Sequence, residues 1–171
     1  WRALPADVTL SSSSHCVEPL ESRLLFDAAD FDPSFGTGGI AQLFINAGLI
    51  RTTAVTVDPR DGSSVVVGYT NVAPLDDPDF VVIRFRADGS ADTNFGGGFG
   101  FVAQDMIAGF SDFATSVAIQ NDGKILVAGF TDGFTNLGAA DRDIVLARFN
   151  PDGSLDAGFG IRGWITVRAP D

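Results

Sequence analysis

Apolar residues in this chain fall into short runs, each closed by a polar turn. Residues 53–57 alternate, with Val55 and Val57 on one face, as in a β-strand with two unlike faces. The turn DPRDG at 58–62 leads into a second run at 65–70, and its Asp-Gly step suits the positive backbone angles of a hairpin. The run FVVIRF at 80–85 is almost continuously apolar, as expected of a strand covered on both faces. It ends at Asp88-Gly89. A strand at 39–45 completes a four-stranded unit. The same order recurs as strands at 117–119, 125–131 and 144–149, with turns at Asp122-Gly123 and Asp152-Gly153.

The recurrence holds residue by residue. DFVVIRFRADGSADTNFG starts at Asp79 and DIVLARFNPDGSLDAGFG at Asp143, an offset of 64, and ten of 18 positions are identical without a gap. Upstream, TAVTVDPRDGSSVVVGYT (53–70) aligns with TSVAIQNDGKILVAGFT (115–131). Phe-Gly pairs recur at Phe35-Gly36, Phe95-Gly96 and Phe159-Gly160. Four strands per unit of about 40–60 residues is the signature of a propeller blade, with a β-solenoid as the alternative. The expected fold is all-β: about two four-stranded blades and the start of a third, an incomplete propeller. The units are 31–90, 91–154 and a partial 155–171, behind a separate segment, 1–30. Each Phe of a Phe-Gly pair is expected to wedge between blades, with the glycine turning the backbone beside the ring. Arg84 and Arg148 sit at the same place inside apolar strands, and each is expected to pair with an aspartate of the neighbouring blade.

Composition sharpens this picture. Twenty-two acids against 11 basic residues leave a net charge of −11, which repels a phosphate backbone and anionic lipid. Nucleic acid is therefore excluded as a partner. No apolar run approaches the ~20 residues of a membrane span, so membrane insertion is not expected. Only Glu18 and Glu21 are glutamates and Lys124 is the sole lysine. Asp and Gly favour turns, whereas Glu and Lys favour helices, so the balance suits short strands and tight turns. The chain begins at Trp1 and ends just past the strand-like stretch 164–168, and it reads as part of something longer.

Several stretches resemble the delta-60 repeat, a family of bacterial β-propeller repeats. They are DPSFGTGG from Asp32, VAIQNDGKILVAG from Val117 and ARFNPDGSLD from Ala147. The resemblance covers roughly residues 31–171 and implies an all-β propeller in a large exported or surface protein, with no catalytic activity implied. Unit one departs from the pattern at Asp58-Pro59-Arg60 and at Ile83-Arg84-Phe85. Before the repeats, EPLESRLL from Glu18 is similar to the LEPR-XLL segment near the start of very large exported bacterial proteins. Residues 1–30 are thus expected to be a leader, the alternative being a short amphipathic helix at 20–26.

Candidate chemistry is sparse. The single histidine, His15, and the single cysteine, Cys16, both precede the repeats, so the repeats cannot build a Ser-His-Asp, Cys-His or ordinary zinc site. Catalytic and cofactor-binding residues are therefore expected to be none. Asp76, Asp77 and Asp79 cluster before the strand at 80–85, and Asp141 and Asp143 recur in unit two. Asp77, Asp79, Asp141 and Asp143 are the candidates for calcium, which takes six to eight oxygen ligands. The blander reading makes these aspartates turn and edge residues.

Three functions follow. The first is a non-catalytic structural or interaction module of an exported or cell-surface bacterial protein, partnered by other repeats of the same or a longer chain. The second is a ligand-binding propeller for a surface protein or glycan, using Phe110, Phe113, Phe130 and Phe134, or a calcium-stabilised one. The third is an Asp-dependent glycoside-active enzyme, which needs a carboxylate pair with split pKa values.

Overall fold

The computed structural model describes residues 31–45, 49–71, 77–132 and 142–167. These belong to one unit, Phe31–Asp171. The expected leader, including His15-Cys16 and the segment from Glu18, lies outside the described residues.

The strands are β1 (Leu49–Val57), β2 (Ser64–Asn71), β3 (Phe80–Phe85), β4 (Phe101–Gln104), β5 (Ser111–Ile119), β6 (Ile125–Asp132), β7 (Arg142–Phe149) and β8 (Trp164–Val167). They form two antiparallel four-stranded sheets, in the orders β1-β2-β3-β4 and β5-β6-β7-β8. Both sheets carry the same irregularity in their first hairpin, a bulge at Thr53 and at Thr115. The turn glycines have the positive φ that the Asp-Gly steps require: Gly62 at 73°, Gly89 at 79°, Gly123 at 86° and Gly153 at 88°.

The blades run out of phase with the expected strand order. Residues 39–45 were expected to be the first strand of sheet one, but residues 41–45 carry no strand. The last strand of sheet one is instead β4, from beyond the Phe95-Gly96 pair. The reason lies in the ladder: a strand is defined by its hydrogen-bonded neighbour, and β4 finds β3 through Ile83–Phe101 and Phe80–Gln104. Backbone bonds match the Gly39 turn to those at Gly100 and Gly163, so residues 40–43 occupy the β4 position of a unit preceding sheet one. The side chains of Ala41, Leu43 and Ile45 pack on Val81, Ile83 and Phe85.

The main core fills the junction between the sheets. Sheet one contributes Val65, Val67, Phe80 and Val82, and sheet two contributes Ile125, Val127, Val145, Ala147 and Phe149. The Phe80 ring lies against Gly129, where a side chain would strike it. Strand β3 is buried on both faces because blade two covers one and Ala41, Leu43 and Ile45 the other. The equivalent β7 alternates instead, with Ile144 at 58% exposure, because no described residue covers its second face. Val55 and Val57 do share a face, but it is exposed. Their counterparts Val117 and Ile119 pack into the junction core.

Candidate functional site

The chemistry concentrates where the blades meet, and most of it is structural. Asp32, Asp88 and Asp152 each accept hydrogen bonds from the backbone amide and hydroxyl of the serine two residues on. These bonds hold the three carboxylates below the usual range. Asp58 is buried and grips Arg60, which lowers its pKa, and the Arg60 guanidinium rests over Gly123 of the next blade. Much of the aspartate excess is therefore turn chemistry.

The two arginines inside apolar strands do not pair as expected. Arg84 bonds Asp61 at 2.7 Å and the Ser63 hydroxyl, both of its own blade, and lies 3.3 Å from Asp92. It reaches blade two through the Pro151 carbonyl at 2.9 Å. Arg148 pairs with Asp156, which lies between β7 and β8 of its own sheet, and covers the Phe159 ring at 4.5 Å. A turn within the same sheet brings a carboxylate to the strand end more directly than the adjoining blade does.

A repeated latch joins successive units. The Gly36 amide donates to the Asp88 carbonyl, and the Gly96 amide donates to the Asp152 carbonyl. Phe95 is fully buried and its ring sits beside Gly153, as the wedge reading requires. Phe35 approaches Gly89 in the same way but is only half-buried.

At the other end of β4 lies an acidic group. Among the described residues, the carboxylates of Asp79, Asp105 and Asp112 offer oxygens that all lie within 4.8 Å of one another. Asp79 immediately precedes β3, Asp105 follows β4 and Asp112 is in β5, so both sheets contribute. Asp112 is fully buried. Its Oδ2 accepts the amides of Met106 at 2.7 Å and Ile107 at 3.2 Å. Burial pushes its pKa up to about 6, opposed by the Met106 amide. The Thr131 hydroxyl, across the β5–β6 pair, also pulls the value down, but it lacks hydrogen-bond geometry: Asp112 Oδ1 and Thr131 Oγ1 are both buried without a partner. Asp79 is raised by burial, then by the charges of Asp105 and Asp77.

Of the calcium candidates, only Asp79 joins this group. Asp77 bears on Asp79 through its charge, Asp143 is buried at the start of β7 beside Thr131 and is not one of the three, and Asp141 lies outside the described residues. Sequence reasoning missed Asp105 and Asp112. The signal was a departure from the repeat, since the matching positions in unit one are Phe44 and Ile50.

Two of the aromatic candidates, Phe113 and Phe130, pack on each other. Phe113 stacks on Phe130 at 4.9 Å and meets Tyr69 edge-on at 4.8 Å, and Arg142 covers Phe130. Phe134 lies outside the described residues. An open groove of about 640 Å³ runs along the far end of β4, lined by Asn94, Phe99, Phe101 and Ser154 among others. It lacks a concentration of charge or buried polar groups. No helix among the described residues is long and apolar enough to cross a membrane.

Comparison with known proteins agrees with this architecture. No curated protein and no solved structure matches the chain. Residues 60–95 and 120–159 match the family model described as "Domain of unknown function (DUF5122) beta-propeller", one stretch in each blade. The two stretches centre on the second and third strands of each sheet, so these blades carry a β-propeller repeat.

Proposed function

We propose that the chain is a non-catalytic structural and interaction module of a large exported or cell-surface bacterial protein, and that its natural partner is a further blade of the same repeat. One observation carries this reading. Phe80 and Val82 of sheet one are buried against blade two, whereas their equivalents Ile144 and Leu146 form a face of sheet two that no described residue covers. Ile165 lies beside Leu146 and Val167 beside Ile144, extending the apolar strip across β8. A repeat protein presents such a face to its neighbour.

The sparse catalytic inventory supports a non-enzymatic role, because the repeats lack His and Cys. The raised carboxylate of Asp112 would suit a glycosidic acid, but it is sealed from solvent and a sugar could not reach it. The similarity of the segment before the repeats to a leader supports export.

Sedimentation velocity across a concentration series tests the proposal. The chain should self-associate through its open sheet face as concentration rises, and Ile144→Asp should shift it to monomer. A chain that stays monomeric at every concentration, with a melt unchanged by Ile144→Asp, would show that this face is not a docking surface.

A further inference from the structure

We propose that Asp79, Asp105 and Asp112 bind a calcium ion that clips the two blades together. The inference goes beyond the module reading and does not depend on it.

Calcium–oxygen distances of about 2.3–2.6 Å put ligands on opposite sides of the ion roughly 4.6–5.2 Å apart. Carboxylate oxygens that all lie within 4.8 Å of one another can therefore share one ion without moving the backbone. Magnesium, at about 2.0–2.1 Å, would demand a tighter and more regular cage.

Asp112 is fully buried and its Oδ2 is held by two amides, which fixes the carboxylate in place. Its Oδ1 has no hydrogen-bond partner. A buried carboxylate oxygen without a partner is costly, and natural structures resolve that cost with a donor, a proton or a metal. The Thr131 hydroxyl oxygen, on the partner strand, is a further unpartnered oxygen.

The ion pairs among the described residues all use other acids, namely Asp58, Asp61, Asp92, Asp132 and Asp156. Asp77 adds a further negative charge that bears on Asp79. A divalent cation would neutralise this concentration of carboxylates.

The placement gives the ion a consequence. Asp79 and Asp105 flank strands of sheet one and Asp112 opens sheet two, with the Asp112 amide donating to the Pro78 carbonyl. A cation there would tie three elements at the mouth of the junction. Because Phe44 and Ile50 stand at the matching positions in unit one, the site belongs to this junction and not to every repeat.

Calorimetric titration with calcium chloride, paired with thermal melts in calcium and in chelator, tests the proposal on the full chain. We expect one ion per chain and a rise in Tm of roughly 5–10 °C at calcium about a hundred times Kd. Asp105→Asn, at an exposed position, should abolish both, while Asp122→Asn, which removes an equal charge at a remote turn, should leave both intact. Magnesium should give a smaller shift. Two results would overturn the site. If calcium gives no heat and Tm ignores the chelator, the three carboxylates hold no ion. If Asp105→Asn and Asp122→Asn weaken the response equally, binding is diffuse attraction to an acidic surface.

Discussion

Arg84 and Arg148 hold the same place in their repeats, yet their surroundings differ. Arg84 is 8% exposed, ringed by Asp61, Ser63 and Asp92, and bonded across the junction to Pro151. Arg148 is half-buried and shares Asp156 with Lys124. Removing a buried cation strands its partners without compensation, whereas water can replace an open one. Arg84→Ala should therefore lower unfolding free energy by about 3–5 kcal/mol. Arg148→Ala should cost about 1 kcal/mol or less. Urea denaturation of the two variants checks the contrast, and equal losses would mean that burial at the junction is not what distinguishes them. The arginine inside an apolar strand was legible from the sequence, and so was its need for a partner. Which aspartate met it was not, because that depends on where a turn several strands away comes to rest.

The Phe-Gly latch acts at the scale of the element. Its glycines have positive φ, and a Cβ at Gly96 would meet the Phe101 carbonyl oxygen, so a side chain is unfavourable there on two counts. Phe95 fills the space between its own tail and the Asp152-Gly153 turn. Phe159 heads an identical motif but is half-buried beneath Arg148. Phe95→Ala should destabilise by about 3–5 kcal/mol, the usual loss for emptying an aromatic site. Phe159→Ala should cost roughly 1 kcal/mol, the scale of an exposed cation–π contact. Paired thermal melts will separate the two, and a large loss from Phe159→Ala would contradict the wedge as the source of stability. The repeat gave away the motif and its glycines; only packing shows which copy has a neighbour to wedge against.

For the whole molecule, two opposing sets of carboxylates shape stability against pH. Asp112 and Asp79 are raised above their ordinary value, chiefly by burial. Between about pH 4 and 6 the folded state therefore binds more protons than the unfolded chain, and stability falls as pH rises through that window. Asp58 and Asp61 are lowered, by hydrogen bonds to Arg60 and Ser63 respectively, so their contribution is lost as pH falls below the ordinary carboxylate range. The chelated protein should be most stable near pH 4–5 and lose on the order of 1–2 kcal/mol by pH 7, allowing for partial solvent screening. Asp112→Asn should flatten that decline. Urea midpoints from pH 3 to 8 will show it, and a maximum at or above pH 7 without calcium would contradict it. Relief of the net charge of −11 at lower pH acts in the same direction.

The sequence by itself determined the class of fold, the unit length and the turns. Each follows from local chemistry repeated at a fixed interval: alternating Val, Asp-Gly steps and the ten identities between the copies beginning at Asp79 and Asp143. Tertiary structure decided the rest. It removed residues 39–45, expected as the first strand, from sheet one and closed that sheet with Phe101–Gln104, because ladder partners are chosen across the chain and not within a repeat. It also assembled Asp79, Asp105 and Asp112, which are dispersed in sequence and converge only because β3, β4 and β5 meet at the blade junction. A repeat pattern records what copies share, and this site is built from residues in which they differ.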